Sequence, residues 1–296
     1  MIPYGRQHIT NIELKKVREV MLSNNLTQGK LTPIFEKKLS QYTKSKYAVA
    51  SNSGTSALHI SCLSLGLKKN DIVWTSPNSF IASANCAEYC EAKIDFVDID
   101  YKTGNMSIEL LEEKLIYAKK KKLLPKILIP VHFGGHPTDQ KKIWELSKKY
   151  NFKIIEDASH SLGAKHKSEP VGSCRWSDIT VFSFHPTKII TTGEGGMATT
   201  NNIKYAKKMM LYRTNGITKK NKLFKFKKKN EPWYYEQQSI GFNYRMNDIS
   251  AALGISQLQR IVNFIKKRNY IAKIYRKRLK SPFIKFQSIK SDNLSS

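Results

Sequence analysis

Apolar residues in this chain alternate between short unbroken runs and longer stretches where they recur at every third or fourth position. The short runs read as buried strands and the longer stretches as amphipathic helices. From about residue 45 to 200 the strand candidates are Tyr47 to Ser51, Ile72 to Thr75, Ile94 to Val97, Ile127 to His132, Lys153 to Glu156, Thr180 to Ser183 and Gly196 to Thr199. Helical patterns such as Ser56 to Leu65 and Ile108 to Lys119 lie between them. That alternation predicts an α/β fold with a mostly parallel sheet, and right-handed crossovers would put helices on both of its faces. After Thr200 the character changes. Lys219 to Asn230 is polar, basic and without apolar periodicity, which predicts a surface loop. From Met246 to about Leu279 the pattern is helical again, with Ile249, Leu253, Ile255, Leu258, Ile261 and Ile265 as apolar members of one long helix.

Composition narrows the class. At 296 residues with 40% hydrophobic content, the chain can bury a substantial core. No apolar run is long enough to span a bilayer, and no basic segment followed by an apolar one opens the sequence. A cytoplasmic location is therefore expected, with no membrane partner. The cysteines Cys62, Cys86, Cys90 and Cys174 lack metal-site spacing. Cys86 and Cys90 read as small buried hydrophobes on one helix face, and no metal is expected. The net charge of +28 suits nucleic acid, an acidic membrane surface or a phosphorylated substrate. Lysine dominates that charge and is scattered, without the aromatic interleaving of a nucleic-acid signature, so no nucleic-acid partner is expected.

The chemistry concentrates around Ser183-Phe184-His185-Pro186-Thr187-Lys188 and the following Thr191-Thr192-Gly193-Glu194-Gly195-Gly196. A lysine held between two strands can lose its charge on burial and attack an aldehyde cofactor. A solvated loop lysine is the plainer alternative. Upstream, Ile154-Ile155-Glu156-Asp157 reads as a buried strand ending on carboxylates, where open α/β sheets bind ligands. Asp157 there can pair with a protonated pyridine nitrogen or simply cap the next helix. His160, one helical turn on, is within reach of a ring hydroxyl or is structural. Further upstream, Ser53-Gly54-Thr55-Ser56-Ala57 runs from strand to helix. Gly54 permits close approach, and the first amides with the Thr55 and Ser56 hydroxyls can receive a phosphate. Alone, that segment is equally a capped helix that binds nothing.

Together with the opening Ile2-Pro3-Tyr4-Gly5-Arg6-Gln7, the run from Ser79 through Asp100 and Gly241-Phe242-Asn243-Tyr244-Arg245-Met246, these blocks make the chain resemble a known family. It is similar to the DegT/StrS-type pyridoxal-phosphate-dependent aminotransferases that act on nucleotide-linked keto-sugars, and most similar to their pseudaminic acid branch. The resemblance implies the aspartate-aminotransferase-like fold with a seven-stranded, mostly parallel sheet. It implies pyridoxal 5'-phosphate as cofactor, L-glutamate as amino donor and a UDP-linked 4-keto-6-deoxy-N-acetylhexosamine as acceptor. Another nucleotide keto-sugar is the nearest alternative. Some relatives with this fold are dehydratases carrying histidine at the lysine position, a class that Lys188 argues against.

By the same resemblance Lys188 holds the cofactor and shuttles the proton, and Asp157 keeps the ring nitrogen protonated. Phe80 stacks on the ring, with a core aromatic as its alternative. Ser183, with Thr55 and Ser56, meets the phosphate. Asn243 reaches the phosphate from a neighbouring subunit, which implies a homodimer with shared sites, the alternative for Asn243-Tyr244-Arg245 being an ordinary turn before a helix. Arg245 can clamp a diphosphate bidentately, and Tyr4 and Arg6 touch substrate. His136 and the segment Arg213-Thr214-Asn215-Gly216 depart from the family pattern and bear on substrate fit. The expected organisation is an arm and large cofactor-binding domain over 1–245, then a linking helix and the start of a small domain over 246–296. Family members extend well beyond Ser296, so most of that small domain is expected to be missing. A cofactor-binding chain without turnover is the corresponding non-enzymatic alternative.

Overall fold

The computed structural model describes residues 5–226, 231–289 and 293–296. Seven strands form the central sheet: β1 (Tyr47–Ser51), β2 (Ile72–Thr75), β3 (Lys93–Phe96), β4 (Ile127–Ile129), β5 (Lys153–Asp157), β8 (Ile179–Ser183) and β9 (Gly196–Thr200). The two-residue strands β6 (Lys165–His166) and β7 (Glu169–Pro170) form a hairpin between β5 and β8. Sheet order is β1-β9-β8-β5-β4-β2-β3. The pairs from β8 through β3 are parallel, while β9 runs antiparallel to both of its neighbours, β1 and β8. This is the mostly parallel seven-stranded sheet expected from the sequence.

Side-chain alternation along each strand explains why both faces are covered. In β5, Ile155 joins one apolar cluster with Ile60, Val181 and Met209, while Ile154 faces the other side with Trp74, Leu128 and Leu146. In β8, Val181 points to the first cluster and Phe182 to a third, which holds Phe35, Phe184, Met246 and Ile265. Helices α1 (Asn11–Met21) and α2 (Leu31–Thr43) precede the sheet. Helices α3 (Gly54–Ser64), α4 (Ala82–Glu88), α5 (Ile108–Lys121), α6 (Gln140–Tyr150) and α7 (Ile203–Tyr212) are threaded between or after its strands. Cys62, Cys86 and Cys90 are all buried in the first cluster, as small apolar residues would be. Cys90 lies just beyond the end of α4.

Two boundaries differ from expectation. The run Ile127 to His132 pairs continuously only to Ile129, because Pro130 has no N–H to donate to the ladder. Pairing resumes at one bridge, Val131 with Asp157. The single long helix expected from Met246 to Leu279 is two helices, α8 (Asp248–Gln259) and α9 (Ile261–Arg278), broken at Arg260. There ψ is 0° and the amide donates to Gln257 and Leu258, closing a tighter turn. The Arg260 guanidinium reaches back to the buried Glu13 carboxylate of α1 at 2.9 Å. Burial of Glu13 favours its neutral form, but hydrogen bonds from Thr10 and Arg260 overcome that and bring its pKa down to about 2. A long-range ion pair therefore holds the Arg260 side chain at the break between the two helices.

The basic segment after α7 contains the two-residue strands β10 (Ile217–Thr218) and β11 (Glu236–Gln237), paired antiparallel, and residues 219 to 226 are largely exposed. Its expected loop also includes 227–230, outside the described residues. Near the last residue, β12 (Asn293–Leu294) pairs with β6, and Ser296 Oγ donates to the carbonyl of His160. No helix among the described residues is long and apolar enough to cross a membrane.

Candidate active site

Sheet register gathers the candidate residues at one end. Asp157 pairs across from Val181, and Ser183 pairs with Gly196, which in turn pairs with Ser51. The ends of β5 and β8, the start of β9 and the turn leaving β1 therefore lie side by side, at the carboxyl end of the parallel strands. Ser53 caps α3 by accepting the Ser56 amide at 3.0 Å. The Gly54 and Thr55 amides, in the first turn, have no helical carbonyl to satisfy them. A methyl group on Gly54 would lie 3.0 Å from Ser183 Cβ, so the helix start and the Ser183 strand end are in close contact. A methyl on Gly196 would lie 2.3 Å from the Ser53 carbonyl, which is why β9 must begin with glycine. The Ser56 hydroxyl is buried and donates to Asn52 Oδ1 at 2.6 Å. It shapes the turn, whereas Thr55 stays half-buried.

Asp157 is 5% exposed and keeps the position expected of it. Its Oδ2 accepts from Ser83 Oγ at 2.6 Å, and its Oδ1 accepts from the Ser159 amide and hydroxyl at 3.1 and 2.6 Å. Asp157 ends β5 and residues 159 and 160 lie in a turn, not the helical turn expected, with the Asp157 carboxylate taking the Ser159 amide itself. His160 nonetheless faces the site: its Nε2 lies 2.7 Å from Lys188 Nζ. Burial lowers the pKa of Lys188, opposed by the Asp157 charge. Burial also lowers that of His160, helped by the Lys188 charge and opposed by Asp157. Lys188 is thus no solvated loop lysine.

Phe80 lies in the loop between β2 and α4 and is 75% exposed, so it is no core aromatic. Asn243 is exposed, and its backbone carbonyl accepts from the Asn52 side chain of the same chain at 3.4 Å. Arg245 is half-buried near the start of α8. Arg6 joins Lys188, Arg260, Lys267 and Arg268 around a cavity of about 350 Å³. Tyr4 lies outside the described residues. Of the departures noted in the sequence, Arg213 is structural: its guanidinium bonds Glu36 and the Ala50 carbonyl. His136 is likewise buried. A larger cavity of about 490 Å³, lined by residues of α1, α2 and α8, shares no residue with the one at Lys188. No cluster of metal-ligating side chains occurs among the described residues.

Sequence reasoning missed Ser83, Ser159 and Arg268. Ser159 had a local signal, the Asp-x-Ser spacing that closes side-chain turns. Ser83 and Arg268 had none, since their partners are 74 and 80 residues distant.

Residues 7–293 match the model of the DegT/DnrJ/EryC1/StrS aminotransferase family. A UDP-4-amino-4,6-dideoxy-N-acetyl-beta-L-altrosamine transaminase of Campylobacter jejuni is 38% identical over 277 residues, covering 94% of this chain and 69% of the relative. A GDP-perosamine synthase of Escherichia coli O157:H7 is 34% identical over 281 residues, covering 95% and 72%. Among solved structures, Helicobacter pylori PseC, an aminotransferase involved in the biosynthesis of pseudoaminic acid, superposes with a TM-score of 0.83 at 32% identity, covering 95% of this chain and 71% of that one. With its seven-stranded sheet, its strand-end aspartate and its loop lysine, this chain belongs to the DegT/DnrJ/EryC1/StrS aminotransferase family.

Proposed function

We propose that this protein is a pyridoxal-phosphate-dependent aminotransferase that moves an amino group from L-glutamate to C4 of a UDP-linked 4-keto-6-deoxy-N-acetylhexosamine. One observation carries the reading: a half-buried amine of lowered pKa, a buried carboxylate and a capped helix start converge at one end of the sheet. The acceptor is supported by relatives from Campylobacter jejuni at 37 and 38% identity, both named as UDP-4-amino-4,6-dideoxy-N-acetyl-beta-L-altrosamine transaminases. GDP-perosamine synthases at 34 and 36% identity support a GDP-linked keto-sugar as the second reading.

The residues fit the cofactor. The Gly54 and Thr55 amides, with the Thr55 and Ser183 hydroxyls, form an anion cradle that the close Gly196 contact holds shut. Asp157, fixed by Ser83 and Ser159, offers a buried negative charge to a protonated ring nitrogen. The exposed Phe80 ring is free to cover one face of a planar ligand. When bound, pyridoxal phosphate supplies an aldehyde for amines and an electron-withdrawing ring that acidifies the carbon next to the bound nitrogen.

The chain's own groups then handle the protons. In its uncharged form, Lys188 Nζ can take up and return the proton at the donor carbon, and burial favours that form by lowering its pKa. His160, mostly neutral for the same reason, hydrogen-bonds the protonated amine while it waits. Arg6 and Arg245 suit the substrate diphosphate, and Asn243 the phosphate cradle of a partner subunit in a homodimer.

The test is spectroscopic. Purified protein mixed with pyridoxal phosphate should develop a visible absorption band, and borohydride should then fix the cofactor's mass on the peptide containing Lys188. Lys188→Ala should show neither, and should lose about 10²- to 10⁴-fold in rate with glutamate. Wild-type protein without the band would overturn the reading. Parallel assays with UDP- and GDP-linked keto-sugars decide between the two acceptors.

A further inference from the structure

Helix α9 lies against the loop that carries Lys188. Ile261 and Ile265 on its inner side are buried with Phe184, Ile189 and Ile190, the apolar residues on either side of that loop. Three residues beyond Ile265, and so on the same side of the helix, Arg268 extends to the loop backbone. Its Nη2 donates to the Lys188 carbonyl at 3.0 Å and to the Thr187 carbonyl at 3.5 Å. The Lys188 amide, on the other side of the same residue, donates to the His185 carbonyl at 2.9 Å. The backbone of the reactive lysine is therefore gripped at both its N–H and its C=O. A lysine side chain has four rotatable bonds, so the direction of its Cα sets where Nζ spends its time.

We propose that Arg268 is a positioning residue: by holding the carbonyls of Thr187 and Lys188 it aims the Lys188 amine at His160 and Asp157. The proposal rests on Lys188 being the reactive amine. Arg268 would act through the loop backbone, since its hydrogen bonds go to the Thr187 and Lys188 carbonyls. A planar fork suits the task because one guanidinium can serve two adjacent carbonyls, whereas an ammonium offers a single point of contact. The charged and titratable groups near Lys188 are Asp157 and His160 from the β5 end and, lining the same cavity, Arg6 and His8 from the N-terminal arm and Arg260, Lys267 and Arg268 from the break before α9 and α9 itself. Release of the loop would expose the amine to water, removing the burial that lowers its pKa.

The test uses Arg268→Ala, Arg268→Lys and, as a control, Ile265→Val, which loosens the same helix face without touching a carbonyl. In protein free of cofactor, reductive methylation is followed against pH and read at the Lys188 peptide by mass spectrometry. Arg268→Ala should move the midpoint at Lys188 upward while that of Lys141, exposed on α6, stays in place. With cofactor and glutamate, the maximal half-reaction rate should fall about tenfold with KM within about threefold, and Arg268→Lys should recover part of the loss. The proposal is overturned if Arg268→Ala keeps the wild-type midpoint and rate, or if Ile265→Val shifts both as far. Should Arg268→Ala not fold, a wild-type midpoint in Arg268→Lys with unchanged rate overturns it equally. Loss of the absorption band in Lys188→Ala, with wild-type behaviour in Arg268→Ala, would remove this proposal and leave the transaminase reading standing.

Discussion

A lysine amine in water holds its proton well above neutral pH, and transamination needs that proton to come and go. At Lys188 burial lowers the pKa and the charge of one carboxylate, Asp157, opposes that shift. The same carboxylate is itself held from two sides, by Ser83 across the fold and by Ser159 beside it. Hydrogen bonds to a charged group contribute about 1.5–3 kcal/mol. Ser83→Ala should therefore slow the glutamate half-reaction roughly tenfold or more, with cofactor still bound, as stopped-flow loss of the visible band would measure. Lys188, Asp157, Gly54 and Ser183 were legible in the sequence because each belongs to a short local pattern of strand, turn and helix start. Ser83 and Arg268 were not, because nothing local distinguishes a helical serine or arginine that meets its partner only after the chain has folded.

At the scale of elements, hydrophobic patterning located every strand of the sheet to within a residue or two, except where Pro130 interrupts a ladder. Periodicity failed at Arg260 for a physical reason. Apolar residues on both sides of the break continue at helical spacing, while the break residue is tied to α1 by an ion pair that no window of neighbouring residues contains. The close contact between β9 and the start of α3 was visible as a glycine-rich segment, though its partner was not. Gly196→Ala should force apart the β9 start and the Ser53 carbonyl, costing about 1–3 kcal/mol as an overpacked site. Titration with pyridoxal phosphate should show weaker binding in that variant even though Lys188 and Asp157 are untouched. Wild-type affinity would mean the cradle lies elsewhere.

Across the whole molecule, the exposed Asn243 bears on assembly. If it completes the phosphate cradle of a partner subunit, defects at Lys188 and Asn243 belong to different chains of the same site. Mixing Lys188→Ala with Asn243→Ala and allowing subunits to exchange should then regenerate up to one intact site per mixed dimer. Recovery of activity above that of either variant alone is the expected result, and no recovery would assign each site to a single chain. The parallel core of the molecule could be anticipated from patterning alone, whereas the sharing of sites rests on chemistry at a surface.

The placement of β9 has a consequence for how the protein is made. This strand is the last of the seven in the chain, yet it fills the gap between β1, the first, and β8. Until residue 200 has left the ribosome, those two neighbours present bare backbone edges to the cell. The binding end of the sheet cannot close before then, so a nascent chain stalled just short of Gly196 would be a poor ligand trap and a ready substrate for chaperones.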